Sequence, residues 1–268
     1  MILYARSLGA SATVLGIISG MLPLLVIFQI PAASYIGRVG YKQFVYGGWG
    51  ARVMVIFGIA IIPLLTFLKS SAKLSLILFL LFAFNLSRGI SSAAWLPWIS
   101  SLVPASIRGR YLAADQAFIG VASCLAFVIA AACLGDYPRS WQFGLIFIIS
   151  GINGAISLKF LKKIPDVPVP EEVKRSNQPI PWLAMAKFPP FKKLLIMNLG
   201  WSAADGGMSA FTVAFLQAQT NLSSATILYV CSLFFLGGLA SLWFGMHLDV
   251  MGSKPVMIFC SLLWICIL

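Results

Sequence analysis

Two charges in apolar surroundings are the residues of this chain most able to do chemistry: Arg88 and Asp205. The apolar run around Arg88 extends roughly from residue 74 to 103, and the run around Asp205 from 194 to 218. Arg88 is 14 and 15 residues from the ends of its run, Asp205 11 and 13, so both stand near the middle. An ionisable side chain at the centre of a bilayer costs at least ~2.5 to 3.5 kcal/mol, so such a group pairs, faces a wet cavity, or both. Helical spacing puts Asn85, Arg88, Ser92 and Trp95 on one face, and Asn198, Trp201 or Ser202, Asp205, Ser209 and Thr212 on another. Polar stripes of this kind line a cavity or a helix contact, and two opposite charges are more than a helix contact needs. They could pair with each other or hold a polar solute directly, with Trp95 and Trp201 offering stacking faces. Arg52 and Asp115 stand nearer the ends of their runs and read as structural support.

The elements that position these residues follow from composition. With 60% hydrophobic and 10% charged residues over 268 positions, the chain has too little polar surface to coat a water-soluble globule. Its solvent is mostly lipid, and a helix needs about 20 apolar residues to cross it. Apolar runs between charged or Pro/Gly-rich breaks predict seven spans, at roughly 11 to 36, 43 to 68, 74 to 103, 111 to 134, 141 to 161, 194 to 218 and 223 to 247. An eighth run begins near Pro255 and reaches Leu268, a rise of only ~20 Å, short of a bilayer core. This reading expects further sequence after Leu268 and about one helix upstream of Met1.

The net charge of +12 is large enough to raise nucleic-acid binding. The cations lie between apolar runs, however, where they mark membrane topology instead. One set of alternate loops holds thirteen Lys and Arg, most of them between Lys159 and Lys193, with Arg38, Lys42, Arg108, Arg110 and Lys254. The other set holds four, Arg6, Lys69, Lys73 and Arg139. Positive charge stays on the cytoplasmic side, which places the N-terminus of this chain outside, against the local vote of Lys69 and Lys73. Cys124, Cys133, Cys231, Cys260 and Cys266 all lie within apolar runs without metal-site or disulfide spacing. The apolar segment after Arg6 is too long for the core of a cleavable signal peptide.

Residues 162 to 193 form a linker, where Pro165, Pro168, Pro170, Pro179 and Pro181 prevent a long helix. At its end Trp182, Phe188 and Phe191 alternate with Lys187, Lys192 and Lys193, the pattern of a segment lying on a membrane surface or of a plain basic anchor. The expected organisation is a helical bundle over 1–161, a cytoplasmic linker over 162–193, and the start of a second bundle over 194–268.

The chain also repeats itself. Ser11-Ala12-Thr13-Val14-Leu15 opens the first span and Ser224-Ala225-Thr226-Ile227-Leu228 the seventh, an offset of 213; Gly40-Tyr41-Lys42 follows one and Gly252-Ser253-Lys254 the other, an offset of 212. Both copies run from outside to inside, so the repeat is parallel with a period of six helices.

The second copy closes with Gly245-Met246-His247-Leu248-Asp249-Val250-Met251-Gly252-Ser253-Lys254. It resembles the loop signature of the major facilitator superfamily: Gly, three residues, Asp, two residues, Gly, then basic residues. In the first copy Arg38, Gly40 and Lys42 fit, while Ala33 and Gly37 stand where Gly and Asp are expected. A short reversal between helices favours a glycine with positive φ, and its basic side chains hold the loop on the cytoplasmic side. Val103 to Arg110 matches a further basic turn of the family, whereas the Gly-Pro pair of its drug/proton antiporters is missing from Ala113 to Gly135.

The resemblance covers the family's second through ninth helices. It implies an all-α, polytopic transmembrane bundle of two parallel six-helix repeats, the second incomplete, acting as a secondary active transporter of a small solute by alternating access. Candidate coupling ions are a proton or sodium, and the setting is a bacterial inner membrane. Arg88 and Asp205 then fall on the fourth and seventh helices, one from each half, at the depth where parallel-repeat transporters bind substrate. No cofactor, metal or nucleic acid is expected.

Two other readings compete. A receptor or scaffold of the same fold would share every feature above. The Gly200-Trp201-Ser202 run loosely resembles the nucleophile of an intramembrane serine protease with His247 as base, but Ser202 lies in a continuous helix without free donors for an oxyanion. The sequon Asn221-Leu222-Ser223 falls in an outside loop close to the membrane.

Overall fold

A computed structural model describes residues 1–171, 182–202, 223–239, 242, 244, 247 and 251–267. Among these, all regular structure is helical. Five stretches are long and apolar enough to cross a bilayer: Ala12–Val39, Tyr41–Leu64, Ser70–Leu102, Ala105–Leu134 and Ser140–Lys163. They match the first five expected spans. The sixth and seventh fall partly outside the described residues.

Contacts gather the chain into two compact units, Met1–Trp95 with Arg139–Leu222, and Leu96–Pro138 with Ser223–Leu268. The first unit begins with a short helix α1 (Ile2–Ser7), followed by α2 (Ala12–Leu25) and α3 (Gln29–Val39). These last two make one crossing broken in the middle: Pro23 lies inside α2, and a 3-10 turn over Val26–Phe28 takes up the change before α3 begins. The next crossing is α4 (Tyr41–Ile61), closed by a 3-10 turn over Ile62–Leu64. It stops short of the residue 68 expected from hydropathy, because Pro63 has no N–H to continue the ladder. Then come α5 (Ser70–Leu102), whose residues up to Trp95 belong to this unit, and α7 (Ser140–Lys163). A short α8 (Trp182–Lys187) follows, and helical backbone over 189–202 makes α9.

Membrane helices gain nothing from hiding apolar side chains from lipid, so close backbone approach through small residues holds them together. Along α7, Gly144 lies against the Ala60 carbonyl, Gly151 against the Phe57 ring and Gly154 against Val53. On another face of α4, a Cβ at Gly48 would overlap the Ser91 Cβ of α5, and the Ser87 hydroxyl donates to the Gly48 carbonyl at 3.0 Å. Gly89 of α5 is equally tight, since a Cβ there would overlap the Leu25 carbonyl oxygen at the end of α2. Tyr4 of α1 is fully buried against Phe143 and Phe147 of α7, at 5.0 and 5.9 Å between ring centroids. Burial pushes its hydroxyl above the ordinary tyrosine value.

The second unit contains the end of α5, α6 (Arg108–Leu134), α10 (Ser224–Leu236) and α11 (Ser253–Ile267). The principal contact is α6 against α10, where Phe127 meets Phe235 at 5.0 Å between centroids. Arg108 closes the preceding turn, donating to the Ser100 and Val103 carbonyls at 2.7 and 3.2 Å. A cation there satisfies orphan acceptors and opposes the helix dipole.

The two copies of the repeat share local geometry. Ser11 caps α2 by accepting from the Val14 N–H at 3.4 Å, and Ser223 caps α10 by accepting from the Thr226 N–H at 3.2 Å. The cap of the second copy is therefore Ser223, one residue before the Ser224 that sequence matching selects. Gly40 and Gly252 both take positive φ, 86° and 79°. Caps and glycines then share one offset, that of the Gly40 and Gly252 loops, and the single-residue gap required by the sequence match disappears.

Candidate functional site

Arg88 is exposed, yet it stands on the buried side of its helix. At 3.6 residues per turn it shares a side of α5 with buried Ile77, Leu81 and Asn85, opposite exposed Phe79, Phe82 and Ile90. Arg52 stands the same way on α4. It shares a side with buried Tyr41, Val45 and Ile59, opposite Met54, which is 77% exposed, and Ile61. Because α4 closes early, Arg52 lies 11 residues after Tyr41 and 12 before Leu64, at the centre of its span. The apolar run at 43 to 68 alone puts it nearer one end.

The Gly48 contact sets these side chains side by side. Arg52 is one turn on from Gly48, and Arg88 follows the Ser87 that bonds to Gly48. The Arg52 Nε also reaches the Gly48 carbonyl, at 3.4 Å. Its guanidinium lies over the Trp49 ring at 4.3 Å from the centroid, and Trp49 meets Trp95 at 6.5 Å. Arg52 and Arg88 therefore stand on the facing sides of two neighbouring helices. The result is a patch of two guanidiniums and two indoles on the inner sides of α4 and α5, half-buried at Arg52, Trp49 and Trp95 and exposed at Arg88.

The remaining expected site residues divide into three groups. Asn85 is buried and donates to the Leu81 carbonyl at 2.9 Å, and Ser92 donates to the Gly89 carbonyl at 2.8 Å, so both spend a donor on their own helix. Asn198 and Trp201 are exposed on α9. Asp205, Ser209 and Thr212 lie outside the described residues, and with them the expected pairing of Arg88 with Asp205. In the loop signature Arg38 and Lys254 are exposed and Lys42 is half-buried, while Gly245 and Asp249 also lie outside the described residues. Asp166 to Val169, after α7, and Gly37 to Gly40 line a cavity of about 390 Å³ beside the first copy of that loop.

Sequence reasoning gives Arg52 only a supporting place and does not single out Trp49. Their signal is the spacing of three, which puts an indole and a guanidinium on one helix face, as they are found.

The family model of the Major Facilitator Superfamily matches residues 1–268, the whole of the sequence. The chain belongs to the Major Facilitator Superfamily. No curated protein and no solved structure matches it. As a member of this superfamily it is an integral membrane protein with an all-α transmembrane bundle, of a family of membrane transporters. The inward patch on α4 and α5 is therefore the candidate solute site of a superfamily member.

Proposed function

We propose that this chain is part of a secondary active transporter that carries a small solute by alternating access between two parallel helical bundles. The bundles are residues 1–161 and 194–268, joined by a cytoplasmic linker over 162–193, in a bacterial inner membrane with the N-terminus outside. A proton or sodium gradient supplies the driving force.

The observation that carries this reading is the pair of arginines on the inner sides of two spans. Charge at that depth is expensive in lipid and is tolerated where it meets water, a counter-ion or a solute. Asp205 is the only acidic residue in the expected span at 194 to 218, and its pairing with Arg88 belongs to the same proposal. A cavity wet on one side lowers the cost of both charges, and pairing lowers it further.

The test is solute uptake by the full-length protein in proteoliposomes. Arg88→Ala and Asp205→Asn should each abolish uptake while leaving insertion intact, and wild-type kinetics in both variants would remove the pair from the site. Topology is checked with single cysteines at Ser176 and Gln219 in a cysteine-free background. The two should react from opposite sides of the membrane; labelling of both from outside intact cells would reverse the assignment.

A further inference from the structure

The charge balance of the patch bears on what kind of solute it holds. The described spans of the first unit, Ala12–Val39, Tyr41–Leu64, Ser70 to Trp95 and Ser140–Lys163, contain no aspartate or glutamate at all. Of their three arginines, Arg38 lies at the loop end of its span, whereas Arg52 and Arg88 stand on neighbouring helices with inner sides together, held there by the tight Gly48 contact. Among the described residues neither Arg52 nor Arg88 makes an ion pair. Pairing with Asp205 can neutralise one guanidinium, which leaves a net positive charge in either case.

Guanidinium suits such a place better than ammonium would. It is more weakly hydrated, stays charged, and offers a planar fork that matches the two oxygens of a carboxylate or a phosphoryl group. The Trp49 ring under the Arg52 guanidinium and the Nε bond to the Gly48 carbonyl hold that side chain in place while leaving its terminal Nη donors for a solute. The two indoles, in contact at 6.5 Å between centroids, add an apolar wall beside the charges. Such a wall is of use to a solute that carries an apolar body next to its anionic group.

We infer that Arg52 and Arg88, with Trp49 and Trp95, form a binding site for a small organic anion bearing a carboxylate or phosphoryl group. This rests on the transporter reading and narrows it to a substrate class. Like charges on adjacent helices repel, and the anion relieves that repulsion as it binds. Arg52 and Arg88 are then ligands of the solute, and the tryptophans set its orientation.

Thermal unfolding of the purified full-length protein in detergent tests this with defined probes: benzoate and succinate for carboxylates, inorganic phosphate and glycerol phosphate for phosphoryl groups, glucose and choline as neutral and cationic controls. At least one anion should raise the midpoint by several degrees, and the arm in which it falls identifies the anionic group. Arg52→Gln and Arg88→Gln should each weaken that effect about tenfold or more, while Lys69→Gln leaves it unchanged. Should a glutamine variant fail to fold, Arg52→Lys and Arg88→Lys keep the charge and lose the fork; a weakened anion effect in these supports the site, and an unchanged one overturns it. Stabilisation by glucose or choline alone, or by none of the anions, overturns it as well. Uptake of a neutral or cationic solute that both glutamine variants retain would leave transport standing without the anion site. An anion effect lost in the variants, with no uptake of that anion by the wild type, would leave the site standing without transport.

Discussion

Helix α4 meets two neighbours by similar means and to different ends. Against α7 it presents Val53, Phe57 and Ala60 to Gly154, Gly151 and Gly144, an apolar seam in which the glycines all come from one helix. Against α5 it presents Gly48 to Ser87 and Ser91, so the small residues come from both helices and one of them bonds across. The first seam only holds. The second also carries Trp49 and Arg52 on one helix and Arg88 and Trp95 on the other. In lipid, where burial of apolar side chains gives no drive, a seam that must hold two like charges together needs closer backbones and a polar bond to offset their repulsion.

The difference predicts graded effects. Gly48→Ala should be the most harmful change in either seam, because its Cβ would meet another Cβ, which cannot swing away. A loss of ~2 to 3 kcal/mol in denaturant-induced unfolding is expected, largely recovered when Ser91→Gly is added. If the double variant is no better than the single, the contact does not set the seam. Gly151→Ala should cost less, about 1 kcal/mol, because the Phe57 ring atom 2.9 Å away belongs to a side chain with room to shift. A loss equal to that of Gly48→Ala would erase the distinction between the seams. Ser87→Ala should be mildest, ~0.6 kcal/mol, the average of a side-chain hydrogen bond between membrane helices. That variant should also weaken anion binding, since it loosens the spacing of the arginines; an unchanged anion affinity would separate the bond from the site.

Much of this architecture is legible in the sequence because lipid imposes strict lengths. Span boundaries over the first 163 residues follow from apolar run length, and positive φ at Gly40 and Gly252 from the need to reverse the chain in few residues. The break in the first crossing is less visible, since Pro23 alone does not say that the α-helix will end at Leu25. The inner patch is legible by half. Arg88 stands out by depth, whereas Arg52 looks peripheral until Pro63 shortens its span. Which helices touch at Gly48, Gly89 or Gly151 is not written in periodicity, because a glycine marks a close approach without naming its partner. Asn85 and Ser92 show the converse: the polar stripe is real, but helix carbonyls take part of its hydrogen-bonding capacity before any solute can.

The helix bearing Arg88 is also out of scale with its surroundings. With 33 residues, α5 is about 50 Å long, against a hydrocarbon layer of ~30 Å. Even a tilt of about 40° leaves some 38 Å to accommodate, so hydrophobic mismatch cannot be absorbed by leaning alone. Part of the rod therefore stands clear of the acyl chains, and its serine-rich ends, Ser70 and Ser71 at one and Ser100 and Ser101 at the other, suit that surplus. The turn that follows is carried into the headgroup layer of whichever leaflet it meets, with Arg108 spent on helix carbonyls and Arg110 close behind. There an anionic leaflet draws a cation inward by ~1 kcal/mol. The lipid composition of that leaflet thus acts on the far end of the same helix that holds Arg88.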